Sequence, residues 1–404
     1  MPMLHRKRLY RSTILGILSG VLGTHSVARA DRGSDAGAIA LLATVPTPGA
    51  PLIAFDISWI DPDTQLYYLA DRSNAAIDVV DTQRNVFLRQ IHAGFKGFTG
   101  DNNTSGPNGV TVSGHWLFAS DAGSRIVSID LRTDTVAGVA FTGGAAGLRA
   151  DELAYDPGDG VLLVVNNADS PPFATLIHVD TATGHLTVGQ RITFATATNG
   201  AEQPVWDPAT RRFYLSIPEI GGNAPDGAVA RINLDGTLEQ MFPVKTCQPA
   251  GLTLGPDQDL LLGCSVIFNT AGQPWSPTDP LTAAPIQVVM DARTGAIDTN
   301  VAGVGGSDEV WFNPGDRHYY TASRGNAIGP VLGVIDAQRP TVVQVVPTFN
   351  TPATTPAPRG TSHSVAADPH NNHVLVPLPA NNVFPSCVNG CIGVFGAQRA
   401  DRHD

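Results

Sequence analysis

Asp56, Asn108, Asp151, Glu202, Ala250, Asp308 and His363 recur along the chain at steps of 52, 43, 51, 48, 58 and 55 residues. Each opens a repeated phrase, clearest as Asp151-Glu152-Leu153-Ala154-Tyr155-Asp156-Pro157, a short turn, then Val161 to Asn167. Six of these seven residues are polar and four are carboxylates; Glu152 and Glu309 follow directly, and Gln248 can lean in beside Ala250. If the seven positions meet, carboxylates about 6 Å apart repel by roughly 3 kcal/mol per pair at an effective dielectric near 20. Either a cation then lies among them or some of them hold protons. Oxygen donors of Asp, Asn and Glu type, free of cysteine, suit a hard cation, and Ca²⁺ tolerates their irregular geometry better than Mg²⁺. Asp56, Asn108, Asp151, Glu202 and Asp308 are therefore the expected metal ligands. His363, which titrates near neutrality, is the expected general base or leaving-group acid. Glu152, Gln203, Glu309 and Asn167 are expected to meet a substrate. The bland alternative is a solvated mouth, in which duplicated repeats inherit polar starts and wet carboxylates repel only weakly.

What brings these residues together is the repeat itself. A period of roughly 40–50 residues holding about four short strands is the signature of a β-propeller blade. The first strand of each copy leads through an Asp-Pro-type turn to an apolar second strand: Leu66 to Ala70, Trp116 to Ser120, Val161 to Val165, Phe213 to Ile217, Leu260 to Gly263, His318 to Ala322 and His373 to Leu378. Third strands, such as Ile77 to Asp81, Ile126 to Asp130 and Val229 to Asp235, mostly close on an Asp that can cap the next turn. Fourth strands follow in six copies. The seventh lacks one, and Ala38 to Val45, which fits no other slot, can supply it and so remove an exposed edge. The expected fold is all-β: one seven-bladed β-propeller over residues 37–397, closed by an N-terminal strand, with 398–404 a polar tail. Inner strands run along the propeller axis, so their first residues must ring the central mouth. Second strands end at the same mouth, where Asp71-Arg72-Ser73-Asn74, Asn166-Asn167, Ser323-Arg324 and Asn381-Asn382 could orient a substrate or simply form turns.

Composition agrees with that architecture. With 42 Gly, 31 Pro and only 15 % charged residues, the chain suits short strands and tight turns, and no helical period stands out. His5-Arg6-Lys7-Arg8 and Arg11, the apolar run Ile14 to Leu22 and Ala28-Arg29-Ala30 read as a secretory signal over residues 1–30. That run is shorter than the ~20 residues of a membrane span, so a periplasmic or secreted protein is expected. A formal charge of -11 argues against nucleic acid and anionic membranes as partners. Four cysteines in an exported chain favour disulfides. Cys247 and Cys264 face each other across a hairpin, and Cys387 and Cys391 enclose a small loop. The stretches 267–281 and 350–362 are too long for tight turns and read as loops or lids over the mouth. No Gly-X-Ser-X-Gly elbow, His-Glu-X-X-His helix or phosphate loop is present, which excludes Ser-based hydrolysis and nucleotide chemistry of those kinds.

The Asp-Pro turns, the strands ending on Asp and the exported seven-repeat layout resemble the YVTN-repeat propellers. Glu202-Gln203-Pro204-Val205-Trp206 is similar to the Glu-Gly-Pro-Val-Trp that opens gluconolactonase-type chains, and Pro107-Asn108-Gly109-Val110 to their Asn-Gly strand start. The second resemblance, to the gluconolactonase, paraoxonase and strictosidine synthase superfamily, implies one Ca²⁺ held by inner-strand starts and polarising a lactone or phosphoester. Two functions are therefore expected to compete. One is a Ca²⁺-assisted hydrolase of a small lactone or ester. The other is a non-catalytic propeller presenting its mouth to a small molecule, a protein or a glycan.

Overall fold

The computed structural model describes residues 37–276, 278–279, 286–348, 363–380 and 386–398. The expected leader, the segment 350–362, Asn381-Asn382, residues 277 and 280–281 of the other long loop, and the tail after Gln398 lie outside them. Seven antiparallel sheets of four strands each follow in sequence as blades. Their inner strands are Ser58–Asp61, Val110–Ser113, Leu153–Asp156, Pro204–Asp207, Pro249–Leu254, Val310–Asn313 and Ala366–Ala367. Each inner strand touches the next, and the last touches the first, so the ring closes. The fold is an all-β, seven-bladed propeller.

Local chemistry explains the regularity. Where an inner strand ends on Asp or Asn before Pro, the proline cannot extend the ladder and the side chain caps the turn instead. Asp156 Oδ1 accepts from the Gly158 amide at 2.8 Å, Asp207 Oδ1 from Ala209 at 2.9 Å, Asn313 Oδ1 from Gly315 at 3.1 Å and Asp368 Oδ1 from His370 at 2.9 Å. The Asp that ends a third strand does the same job one hairpin later, as at Asp81, Asp130 and Asp336. In blade four the third strand is Asp226–Ile232 rather than Val229 to Asp235. The chain leaves the ladder there because Asn233 and Thr237 close a turn through their backbones.

The core lies between blades. Tyr68, Ile77 and Val79 of blade one pack on Val110, Leu117 and Val127 of blade two, and Leu163 and Val165 of blade three pack on Phe213 and Leu215 of blade four. Each such side chain contributes roughly 1.5–3 kcal/mol on burial, so the interfaces between blades carry the stability that holds the mouth rigid.

Closure occurs as the sequence leads one to expect. Ile39–Pro46 pairs antiparallel with Cys391–Ala397, from Ile39 opposite Ala397 to Pro46 opposite Cys391. Gln344 of blade six adds a clamp: its side chain accepts from the Ile39 amide and donates to the Ile39 carbonyl, both at 2.8 Å. Both disulfides form, Cys247 with Cys264 and Cys387 with Cys391. Two disulfides are compatible with an extracellular or periplasmic protein. Among the described residues no helix is long and apolar enough to cross a membrane.

Candidate functional site

Asp56, Asn108, Asp151, Glu202 and Asp308 each lie two residues before the first paired residue of an inner strand. A repeated set of backbone bonds fixes them there. Their amides donate to the carbonyls of Ala70, Ser120, Val165, Ser216 and Ala322 on the second strands, at 2.7–3.0 Å. The next residue then reaches the neighbouring blade: Ile57 donates to Asn108, Gly109 to Asp151 and Gln203 to Ala250. Gly109 and Gly251 are glycines because a Cβ there would lie 2.5 Å from the Asp151 carbonyl oxygen and 2.2 Å from that of Asp308. The expected ring is thus a real structural level of the mouth.

Arginines organise this ring, and two of them, Arg72 and Arg324, are those that the sequence already places at the mouth, though not as partners of its acids. Arg72 ion-pairs with Asp56 Oδ2, and its Nε and Nη2 donate to Asn108 Oδ1 at 3.0 and 2.7 Å. Arg149 bridges Asp56 Oδ2 at 3.1 Å and Asp151 Oδ2 at 2.8 Å, and its Nε donates to Asn167 at 3.3 Å. Arg324 holds Asp308 Oδ2 at 2.6 Å. Arg72 and Arg324 directly follow the second strands Leu66–Asp71 and His318–Ser323, the same place in the repeat as Asn167. That shared register was the available signal. Arg149 had none beyond its position two residues before Asp151.

His363 spans two blades. Its Nε2 lies 2.7 Å from Asp56 Oδ1 and its Nδ1 2.7 Å from Asp308 Oδ2. A neutral imidazole donates from one nitrogen only, so two ionised acceptors hold the ring as imidazolium. Burial works against that charge, but Asp308 and Asp56 outweigh it and raise the pKa to about 9. His363 as placed is a cationic bridge between inner-strand starts, with no lone pair free to take a proton at neutral pH.

The carboxyls divide by their partners. Burial disfavours the charge on Asp56, but Arg72, the His363 hydrogen bond and Arg149 together hold its carboxyl well below the usual range. Asp308 is lowered too, burial being outweighed by His363 and Arg324. Asp151 rises to about 6, through burial that Arg149 only partly offsets. Glu202 rises to about 8, through burial and then the charges of Asp151 and Asp308. Glu152 and Glu309, one from blade three and one from blade six, come within hydrogen-bonding reach of each other across the channel. Both are pushed well above the usual range, first by burial and then by neighbouring carboxylates: Glu309 and Asp151 for Glu152, and Asp308 for Glu309.

This arrangement bears on the expected calcium ligands. Ca²⁺ takes about six to eight oxygens. Here Arg72, Arg149, Arg324 and His363 already face the oxygens of Asp56, Asn108, Asp151 and Asp308. The donor set as placed does not fit that ion, because guanidinium and imidazolium groups occupy the positions a metal would need. Among the described residues no group of three or more His, Cys, Asp or Glu side chains is arranged to hold a metal.

Other expected contacts serve the frame. Gln203 Oε1 accepts from the Leu252 amide at 2.6 Å, tying blade four to blade five. Gln248 leans away from the ring, donating to Glu219 at 3.4 Å and to the Ala224 carbonyl at 3.1 Å, and accepting from Asn199 at 3.4 Å. Asn167 donates to Glu202 Oε2 at 3.4 Å. Glu202 and Asn167 open, with Asn199, Asn103, Thr198 and Asp169, onto a mouth cavity of about 730 Å³.

No family model matches the sequence, and no curated protein matches it. Among solved structures the chain is similar to hydrazine synthase of Kuenenia stuttgartiensis, with a TM-score of 0.61 and 11 % identity over 82 % of this chain and 94 % of that one. A likeness at that identity shows the propeller fold alone.

Proposed function

We propose that the chain is a binding propeller whose mouth takes a small, uncharged, hydroxyl-rich molecule such as a short glycan. The observation that carries this reading is the lining of the 730 Å³ cavity by amides, hydroxyls and the carboxyls of Glu202 and Asp169, while its one basic side chain, Arg149, is already paired with Asp56 and Asp151. Side-chain amides offer a donor and an acceptor on one plane, which matches adjacent hydroxyl groups. An anionic ligand would first have to break the Arg149 bridge, since Arg149 is the basic side chain of that lining. Near neutrality Glu202 is largely protonated and can donate as well as accept.

The test is calorimetric titration of a panel of mono- and disaccharides into the protein and into Asn167→Ala and Asn199→Ala. Saturable binding of at least one sugar, weakened about tenfold or more in each variant, is expected, since losing one buried hydrogen bond to a ligand is worth about 1.4 kcal/mol or more. Binding should also weaken as pH rises past about 8, where Glu202 loses its proton. A panel without saturable binding, or variants that bind like the parent, would sink the proposal.

A second reading rests on Glu202 alone. A carboxyl protonated at neutral pH and open to a cavity has the state required of a general acid, so hydrolysis of the bound molecule is the competing activity. Turnover lost in Glu202→Gln with binding retained would favour it over simple binding.

A further inference from the structure

Beneath the ring lies a second, smaller cavity inside the channel. It measures about 150 Å³ and is lined by Glu152, Gln203, Ile57, Val205, Trp59 and Trp311, among others. Trp59 and Trp311 each lie three residues past a ring position, Asp56 and Asp308, and come from blades one and six, on either side of blade seven. Blade seven carries only Ala366 at that register. The two indoles therefore meet in front of it, with ring centroids 5.2 Å apart and planes inclined at 76°. Both are only partly buried.

Glu152 is the odd member of this wall. It is 5 % exposed, faces the cavity, and forms no ion pair among the described residues, whereas Asp56, Asp151 and Asp308 each form at least one. Its hydrogen-bonding neighbour is Glu309, itself 3 % exposed and likewise without an ion pair among the described residues, though the His363 charge acts on it. Two carboxyls brought together across a channel hold a proton between them unless a cation is supplied. An ammonium group answers both features of the cavity, because indole faces attract cations and a buried carboxylate without a counter-ion requires one.

We propose that this chamber binds a compact organic cation of the alkyl- or quaternary-ammonium class, held by Glu152 against the indoles of Trp59 and Trp311. Its volume admits the charged head of such a molecule and little more. Binding displaces the proton that Glu152 and Glu309 share, and the groups that set the field there are Asp151, Glu202, Arg149, Asp308, Asp56 and His363. The inference is independent of the sugar reading of the mouth, since the two cavities have different linings.

Tetramethylammonium chloride is the probe, titrated into the full protein at pH 7 while tryptophan fluorescence is followed, with sodium chloride at equal concentration as control. A saturable change absent with sodium is expected. Calorimetry in two buffers of different ionisation enthalpy should show proton release on binding, which a merely apolar contact would not give. Glu152→Gln should weaken binding about tenfold or more and abolish the proton release. Trp311→Phe, which preserves an aromatic wall of smaller face, should weaken binding less than Trp311→Leu. The same signal with sodium, no saturation, or full affinity and proton release in a folded Glu152→Gln protein would overturn the proposal. Should that variant fail to fold, the Phe-versus-Leu ordering at position 311 decides in its place.

Discussion

Replacing His363 by Gln tests the imidazolium bridge more sharply than any other change. In the folded protein the imidazole titrates at about 9 against an ordinary 6.5. Its value is raised, so the contribution to stability is complete below about pH 6.5 and is lost as pH rises through about 9. A shift of that size corresponds to roughly 3 kcal/mol, and because the ring keeps some exposure to solvent about 2–3 kcal/mol is the realistic figure. Asp56 and Asp308 stay ionised across this window because Arg72, Arg149 and Arg324 still face them. Asp151 and Glu309 also feel the His363 charge, so the difference between parent and variant includes their response to its loss. Urea unfolding of the two proteins from pH 6 to pH 10 should therefore show a gap of about 2–3 kcal/mol at pH 6 that closes toward pH 10. For a propeller of this length the gap at pH 6 amounts to about 3–4 °C in Tm. A gap that stays constant with pH, or that is absent at pH 6, would refute the bridge and return His363 to a free ring able to act as a base.

Three further outcomes follow from the frame. Cys247→Ser or Cys264→Ser should cost more than Cys387→Ser or Cys391→Ser: spans of 17 and 4 residues correspond to about 3 against about 2 kcal/mol in the chain-entropy model, and equal melting points for all four variants would contradict the ranking. Deleting residues 37–46 should lower the melting temperature and promote self-association, because Cys391–Ala397 would become an open edge; a truncated protein that melts and sediments like its parent would count against closure. Adding Ca²⁺ or a chelator should leave the melting temperature unchanged, since cationic side chains hold the ring oxygens. A rise with Ca²⁺ would mean that Arg72, Arg149 and Arg324 swing away to admit a metal.

The fold was legible because each blade states its own turns. Asp156-Pro157 and Asp207-Pro208 mark hairpins by a chemistry that depends on neighbours in sequence alone, and the unpaired Ala38 to Val45 could fill only one slot. The ring was legible for the same reason: a fixed offset from each turn sets which residues face the mouth. What the residues do there was not legible. Whether Asp56 meets a metal, a proton or an arginine depends on side chains 16 and 93 residues away, and no local pattern reports such a meeting. Electrostatics required either a cation or bound protons among the carboxylates; it did not say that Arg72, Arg149, Arg324 and His363 were the cations. Gln203 misled for a related reason, since its place beside Glu202 suggested a ligand contact while its amide serves the backbone of the adjoining blade.

A buried ion network of this kind is weak evidence that the protein needs it for stability, since well-packed apolar residues could close the channel at equal or lower cost. Elsewhere the propeller does use apolar closure: Val110, Leu153 and Val310 bury hydrophobic side chains within two residues of the ring. Keeping Asp56, Asp151 and Asp308 charged at the mouth therefore calls for a reason beyond folding. The paired charges supply one, because they fix the positions of Asn167 and Glu202 through Arg149 and leave that guanidinium committed rather than open to an anion. A rigid, hydrogen-bonding surface whose basic group is already paired favours recognition of an uncharged ligand over an anion, and that ligand's own desolvation is then the main cost of binding. Glu152 and Glu309, like Glu202, form no ion pair among the described residues, unlike Asp56, Asp151 and Asp308. If the mouth were polar only by inheritance, Glu152 would have no reason to face a cavity lined by Trp59, Trp206 and Trp311.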